Sequence, residues 1–231
     1  MRKFSSYGPN DPALHYYVPR QELVNGAYQQ LLGEHYITVW APRQTGKTWI
    51  MREVFFKLQQ DSPFDIVIMP LQYLSNVTDV NRVAQLIAQA LMEKLGIENL
   101  SINTLEDFHL LFKREILRKP LILILDEFDG LPEPVIAGLV SFFLNIYHNR
   151  QNQLDKSSAE KDYLLHGMAL IGVRAALGVE NIKGSPFNVQ RGVYIPNLTH
   201  DEVADLFNEY QQESGQTIEP EVVERIWYET K

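Results

Sequence analysis

The 231-residue chain has no cysteine. Disulfides and thiolate metal sites are therefore excluded, and nothing about redox compartment follows. Long apolar runs are also lacking, since no stretch approaches the roughly 20 residues needed to cross a bilayer. The start, Met1-Arg2-Lys3, leads into polar Ser5, Ser6 and Asn10, so no secretory signal is read and a cytoplasmic location is expected. Positive charge is in deficit: 21 Lys and Arg stand against 29 Asp and Glu, a formal net charge of −8. That balance disfavours a general polyanion binder, because affinity for a phosphate backbone needs clustered cations. The six histidines show no paired spacing on a helix face, so no zinc site is read. Internal repeats and low-complexity tracts are absent as well.

What is present is the composition of a folded chain, 45% hydrophobic and 22% charged. The length suits one large α/β domain and the beginning of a second. Residues 1–20 are rich in Pro, Gly and Tyr without periodicity and read as a leader. Helical spacing follows from Gln21 to Leu32, with Gly33 as a stop. Tyr36 to Trp40 is β-branched and aromatic, hence a strand. Trp49 to Gln59 reads as a helix and Ile66 to Met69 as a strand covered on both faces. Val80 to Leu95 carries an apolar stripe closed by Gly96. Thr104 and Asp107, at capping-box spacing, predict a helix from Thr104 to Arg118 that Pro120 ends. Leu121 to Leu125 is the most apolar stretch and predicts a buried central strand. Val135 to Arg150 predicts a helix, and polar residues 151–161 a surface loop. Strands are expected at His166–Val173 and Gly192–Ile195, a capped helix from Thr199 to about Ser214, and another helix from Glu219. Strands alternating with helices imply right-handed crossovers and a parallel sheet covered on both sides.

Two motifs carry chemistry. Between the first strand and the next helix lies Ala41-Pro42-Arg43-Gln44-Thr45-Gly46-Lys47-Thr48, a Walker A pattern with Ala at the first glycine position. Gly46 lets the backbone approach a phosphate, and the loop amides and helix N-terminus, with Trp49 in its first turn, point at the anion. Lys47 then reaches the β- and γ-phosphates and the Thr48 hydroxyl ligates Mg²⁺. Ala41 matters only if that residue needs a positive φ. The second motif is the strand end Asp126-Glu127-Phe128-Asp129-Gly130. On a strand, consecutive residues face opposite ways, so Asp126 is expected to serve the Mg²⁺ and Glu127 to polarise the attacking water. In a parallel sheet both motifs fall at the carboxyl ends of strands, where ligands bind. Ser and Lys residues outside the loop form no nucleophile set.

With these residues in place, the sequence resembles a P-loop ATPase of the additional-strand, catalytic-glutamate branch. More narrowly, it is similar to AAA-like ATPases near the bacterial AAA-like and STAND-type families. The resemblance is carried by Tyr16 to Leu23, Ala41 to Thr48, Leu121 to Glu127, Ile171-Gly172-Val173-Arg174, Ser185-Pro186-Phe187-Asn188 and Ile195 to Thr199. It implies a three-layer α/β fold with a parallel five-stranded sheet in the order 5-1-4-3-2. It also implies a nucleotide-binding domain over 1–198, including the leader 1–20, and the start of a helical lid over 199–231, with the chain end reading as a truncation. ATP and Mg²⁺ are the implied cofactors. The leader residues Tyr17, Val18 and Pro19 either wall the adenine or pin a terminal arm by packing. Arg174 stands where relatives place a small polar sensor; it is either a cis-acting cation on the transition state or a solvated loop arginine. Arg191 falls in the region where assembling relatives carry an arginine finger.

Two classes of function follow. One is an ATP-hydrolysing switch with a protein partner or C-terminal effector, the net charge favouring this over the DNA-transacting role of origin-recognition-type relatives. The other is a module that holds ATP or ADP without turnover; the intact Glu127 argues against it. A small-molecule kinase would need a substrate lid and several phosphate-facing arginines that cannot be assigned.

Overall fold

The run Leu121–Asp126 is buried at every position, which only a central strand covered on both faces allows. In the computed structural model, which describes residues 1–5, 11–42, 45–61, 63–172 and 192–230, this strand, β3, lies inside a parallel sheet. The other strands are β1 (Tyr36–Trp40), β2 (Asp65–Pro70), β4 (Leu165–Gly172) and β5 (Val193–Tyr194). Their order is β2-β3-β4-β1-β5, and every pairing is parallel. This is the expected 5-1-4-3-2 arrangement read from the other edge.

The helices are α1 (Gln21–Leu32), α2 (Lys47–Asp61), α3 (Val80–Leu95), α4 (Glu133–Gln151), α5 (His200–Ser214) and α6 (Pro220–Glu229). Alternation along β3 splits the core into two layers. Leu121, Leu123 and Leu125 join the apolar residues of α3 and α4, while Ile122 and Ile124 join those of α1 and α2. Each of these fully buried aliphatic side chains contributes about 1.5–3 kcal/mol relative to exposure. Among the described residues no helix is long and apolar enough to cross a membrane.

The segment 104–118 departs from the expected helix. Thr104 Oγ1 accepts the Asp107 amide at 3.0 Å and Asp107 accepts the Thr104 amide at 3.0 Å, so the box forms. It opens only a 3-10 turn over Asp107–Phe112. Beyond it Lys113 is extended and bridges Tyr163, and the Leu164 amide donates to the Phe112 carbonyl at 2.7 Å. Pairing with the approach to β4 takes the backbone groups that a helix would have used.

The polar segment 151–161 also departs from a simple surface loop, because Lys161 is only 6% exposed. Its ammonium donates to Glu34 Oε2, which also accepts from Arg150 Nη2 at 3.0 Å. Arg150 is 1% exposed and further donates to Ser158 Oγ at 2.9 Å and to the Tyr163 carbonyl. His166 completes the cluster: Nε2 lies 3.0 Å from the Leu32 carbonyl and Nδ1 2.6 Å from Ser158 Oγ. A carbonyl only accepts, so Nε2 carries the proton and Ser158 donates to Nδ1. Burial opposes ionisation of Glu34, but the Lys161 bond and the Arg150 and Lys161 charges outweigh it, and its carboxyl is held below the usual range.

At the far end, α5 starts with the expected box, Thr199 Oγ1 accepting the Glu202 amide and Glu202 accepting the Thr199 amide. α6 packs beside it, with Trp227 Nε1 donating to the Leu198 carbonyl at 3.2 Å.

Candidate functional site

β1 delivers the chain to the carboxyl edge of the sheet, where Ala41 is 1% exposed and packs in the α1/α2 layer. Ala41 is not among the described residues with positive φ. Alanine in place of the first Walker A glycine therefore costs no backbone strain, and a small side chain fits the core there. Gly46 does have a positive φ, +83°, with no heavy atom within 4 Å of where a Cβ would stand. The requirement at Gly46 is conformational, not one of space.

Thr45 and Lys47 reach back to the end of β1. Thr45 Oγ1 donates to the Pro42 carbonyl at 2.9 Å, and Lys47 Nζ donates to the same carbonyl at 2.9 Å and to the Ala41 carbonyl at 3.5 Å. α2 begins at Lys47, with the Ile50 amide returning to the Gly46 carbonyl at 3.0 Å. Helix geometry leaves the first-turn amides of α2 without an acceptor inside the helix, and the dipole makes this end favourable to anions.

The acidic strand end meets this helix directly. Thr48 Oγ1 donates to Asp126 Oδ2 at 2.9 Å, and Asp126 Oδ1 accepts the Glu127 amide at 2.9 Å. Asp126 is 8% exposed. A hydroxyl and a carboxylate side by side are the hard-oxygen donors that Mg²⁺ takes beside substrate phosphates, so the residues present fit that ion. Among the described residues no group of three or more His, Cys, Asp or Glu is arranged as a metal cage.

Glu127 corrects one expectation. β3 ends at Asp126, and Glu127 has φ 57° and ψ 32°, in the left-handed region. The two acids are separated by a backbone reversal and not by strand alternation. This conformation costs a non-glycine residue roughly 1–2 kcal/mol, and such strain clusters at functional sites. Burial, then the charges of Asp126 and Asp129, push the Glu127 carboxyl above its ordinary range.

The leader reaches α2. The Tyr17 ring meets Trp49 edge-on, with centroids 6.1 Å apart at 74°. Trp49 Nε1 donates to Glu53 Oε1 at 2.8 Å, and the Tyr17 hydroxyl shares Glu53. Burial first and Glu53 second raise the pKa of Tyr17. Neighbouring Tyr16 turns to α5 and donates to Glu213 Oε2 at 2.9 Å. Arg20 binds Glu202 through Nε at 3.0 Å and the Pro196 carbonyl at 2.6 Å. Val18 is half-buried and Pro19 exposed.

Thr48, Asp126 and Glu127 thus form one group, with Gly46 just before α2, Lys47 at its first position, and Tyr17 and Trp49 paired on its flank. Arg43, Gln44, Val173, Arg174, Ser185 to Asn188 and Arg191 lie outside the described residues. Glu53 escaped sequence reading, although its position four residues after Trp49 on a helix is a usable signal. Gly172, with the Asp129 side chain against its backbone, entered the sequence reading only through the resemblance.

A sheet of this order with a phosphate loop after β1 and acids after β3 is the architecture of P-loop ATPases. The chain belongs to the AAA-like domain family, whose model matches residues 6–226. No curated protein matches the sequence. Among solved structures, a Walker-type ATPase of Pyrococcus abyssi is similar with a TM-score of 0.55 and 14% identity, over 91% of this chain and 62% of that one. AMPPCP-bound DnaA from Aquifex aeolicus gives 0.53 and 18%, over 93% and 59%. Cdc6p from Pyrobaculum aerophilum gives 0.53 and 17%, over 85% and 52%. At these identities the likeness is one of fold, and the chain spans less than two thirds of each of those proteins.

Proposed function

We propose that this chain binds ATP with Mg²⁺ at the loop 41–48 and hydrolyses it slowly, as a regulatory switch. The observation that carries this reading is the hydrogen bond between Thr48 and Asp126, which brings the phosphate loop and the acidic strand end into one site. Lys47 exchanges its carbonyl partners for phosphate oxygens, and the first-turn amides of α2 meet the same anion. Thr48 and Asp126 hold Mg²⁺, which supplies neutralisation of phosphate charge. Glu127 orients the water and takes its proton as the water oxygen bonds to the γ-phosphorus and the bridging P–O bond to ADP breaks. A raised Glu127 pKa suits it to that exchange. Tyr17 and Trp49 face the base, with Val18 and Pro19 completing the apolar side. Arg174 is a candidate cation for the γ-phosphate.

Residues 1–198 then form the nucleotide-binding unit, and α5 with α6 the start of a lid whose position responds to the nucleotide. A protein partner or attached effector reads that position. Calorimetric titration with ATP, ADP and GTP, with and without Mg²⁺, tests binding. Glu127→Gln is expected to keep ATP affinity and abolish phosphate release. Tight binding by the unmutated chain with no release would favour a module that holds nucleotide without turnover.

A further inference from the structure

The turn that follows Glu127 rests on the last residue of β4. A Cβ built on Gly172 would stand 2.8 Å from Asp129 Cγ, 2.9 Å from its Cβ and 3.0 Å from its Oδ1. Carbon atoms in contact prefer about 3.5–4.0 Å, so the Asp129 side chain occupies the space that any side chain at 172 would need. Asp129 is the middle residue of the 3-10 turn Phe128–Gly130. Phe128, 2% exposed, anchors that turn in the α3/α4 layer of the core. The Gly130 amide returns to the Glu127 carbonyl at 3.0 Å.

The left-handed backbone of Glu127 is therefore held on both sides. Before it, the Asp126 carboxylate takes its amide; after it, the turn is wedged between the core and the bare backbone of Gly172. We propose that Asp129, seated on Gly172, is a positioning residue for Glu127, fixing the reversed turn that presents the carboxylate. The proposal rests on the reading of Glu127 as the water-orienting group.

Three variants test it in steady-state hydrolysis of MgATP. Gly172→Ala pushes Asp129 and the turn outward. It is expected to lower kcat by about tenfold or more with KM nearly unchanged, the pattern of an interaction made in the transition state. Asp129→Ala empties the seat on Gly172 and is expected to lower kcat by about tenfold with KM nearly unchanged, while Asp129→Asn keeps the shape that fills the seat and is expected to hold kcat within about twofold of wild type. Wild-type turnover with a Gly172→Ala or Asp129→Ala variant of equal kcat, or with an Asp129→Asn variant that loses as much as Asp129→Ala, overturns the proposal while leaving the ATPase reading intact. If Gly172→Ala does not fold, the two Asp129 variants decide. A wild-type chain that binds MgATP without hydrolysing it overturns the ATPase reading and the proposal together.

Discussion

Thr48 and Asp126, 78 residues apart in the sequence, share a hydrogen bond of 2.9 Å. The hydroxyl sits on the first turn of α2 and the carboxylate at the last position of β3. Their contact ties the N-terminal turn of α2, the end whose dipole favours anions, to the carboxyl end of β3. Thr48→Val removes the hydroxyl at nearly constant volume. It is expected to weaken ATP binding by about tenfold or more in the presence of Mg²⁺, roughly 1.4 kcal/mol, and to change binding little in EDTA. Calorimetry under both conditions reads the difference; an equal loss in each would show that Thr48 serves the loop's fold and not the metal.

Gly46 has φ +83° and open space around its Cβ position. Gly46→Ala therefore meets no clash and acts through the backbone alone, costing about 1–2 kcal/mol if the conformation is kept. The expected result is a modest fall in urea midpoint and a larger loss of nucleotide affinity, as the loop relaxes away from its anion-binding shape. Unchanged affinity in a folded variant would argue against a cradle built on this residue.

Among the described residues Glu34 is the one carboxylate hydrogen-bonded to the two buried cations Arg150 and Lys161. Glu34→Gln leaves both side chains buried with their charge uncompensated, and breaking such a group costs about 3–5 kcal/mol. Equilibrium urea denaturation is expected to show a loss of that order. A loss under about 1 kcal/mol would mean that the cluster behaves as an exposed pair.

His166 is buried, and its pKa is pushed down to about 4, first by burial and with the Arg150 and Lys161 charges acting in the same direction. The Leu32 carbonyl and Glu34 oppose this. The unfolded histidine titrates near 6.5. Between these values the unfolded chain binds a proton that the folded chain refuses, so the contribution is full above about pH 6.5 and is lost as pH falls towards 4. The linked loss is about 3 kcal/mol. Urea midpoints from pH 7 to pH 4.5 should fall with this slope and fall less steeply in His166→Asn; parallel slopes would place the proton elsewhere.

The readable parts of the molecule were those written locally. Five aliphatic residues ahead of Asp126 announce a two-sided strand, and the spacing around Gly46, Lys47 and Thr48 announces the turn from β1 into α2. The Thr199–Glu202 box announces the start of α5. The unread parts involve partners distant in sequence. A helix after Thr104 satisfied every local rule and lost to pairing with residues 162–164. Lys161 looked like one more loop lysine until Glu34, on the other side of the chain, drew it inward. Glu127 continued a strand on paper, yet its backbone turns over.

Sequence alone determined the layered α/β architecture and the identities of the groups at the sheet's carboxyl edge. Hydrophobic periodicity and phosphate-loop spacing are properties of a short stretch of chain. Only the tertiary structure decided the left-handed turn at Glu127, its seat on Gly172, the burial of Arg150 and Lys161, and the tie from Tyr16 and Arg20 to α5. Each of these depends on which surfaces meet once the layers pack, and close packing and charge compensation are settled between segments and not within them.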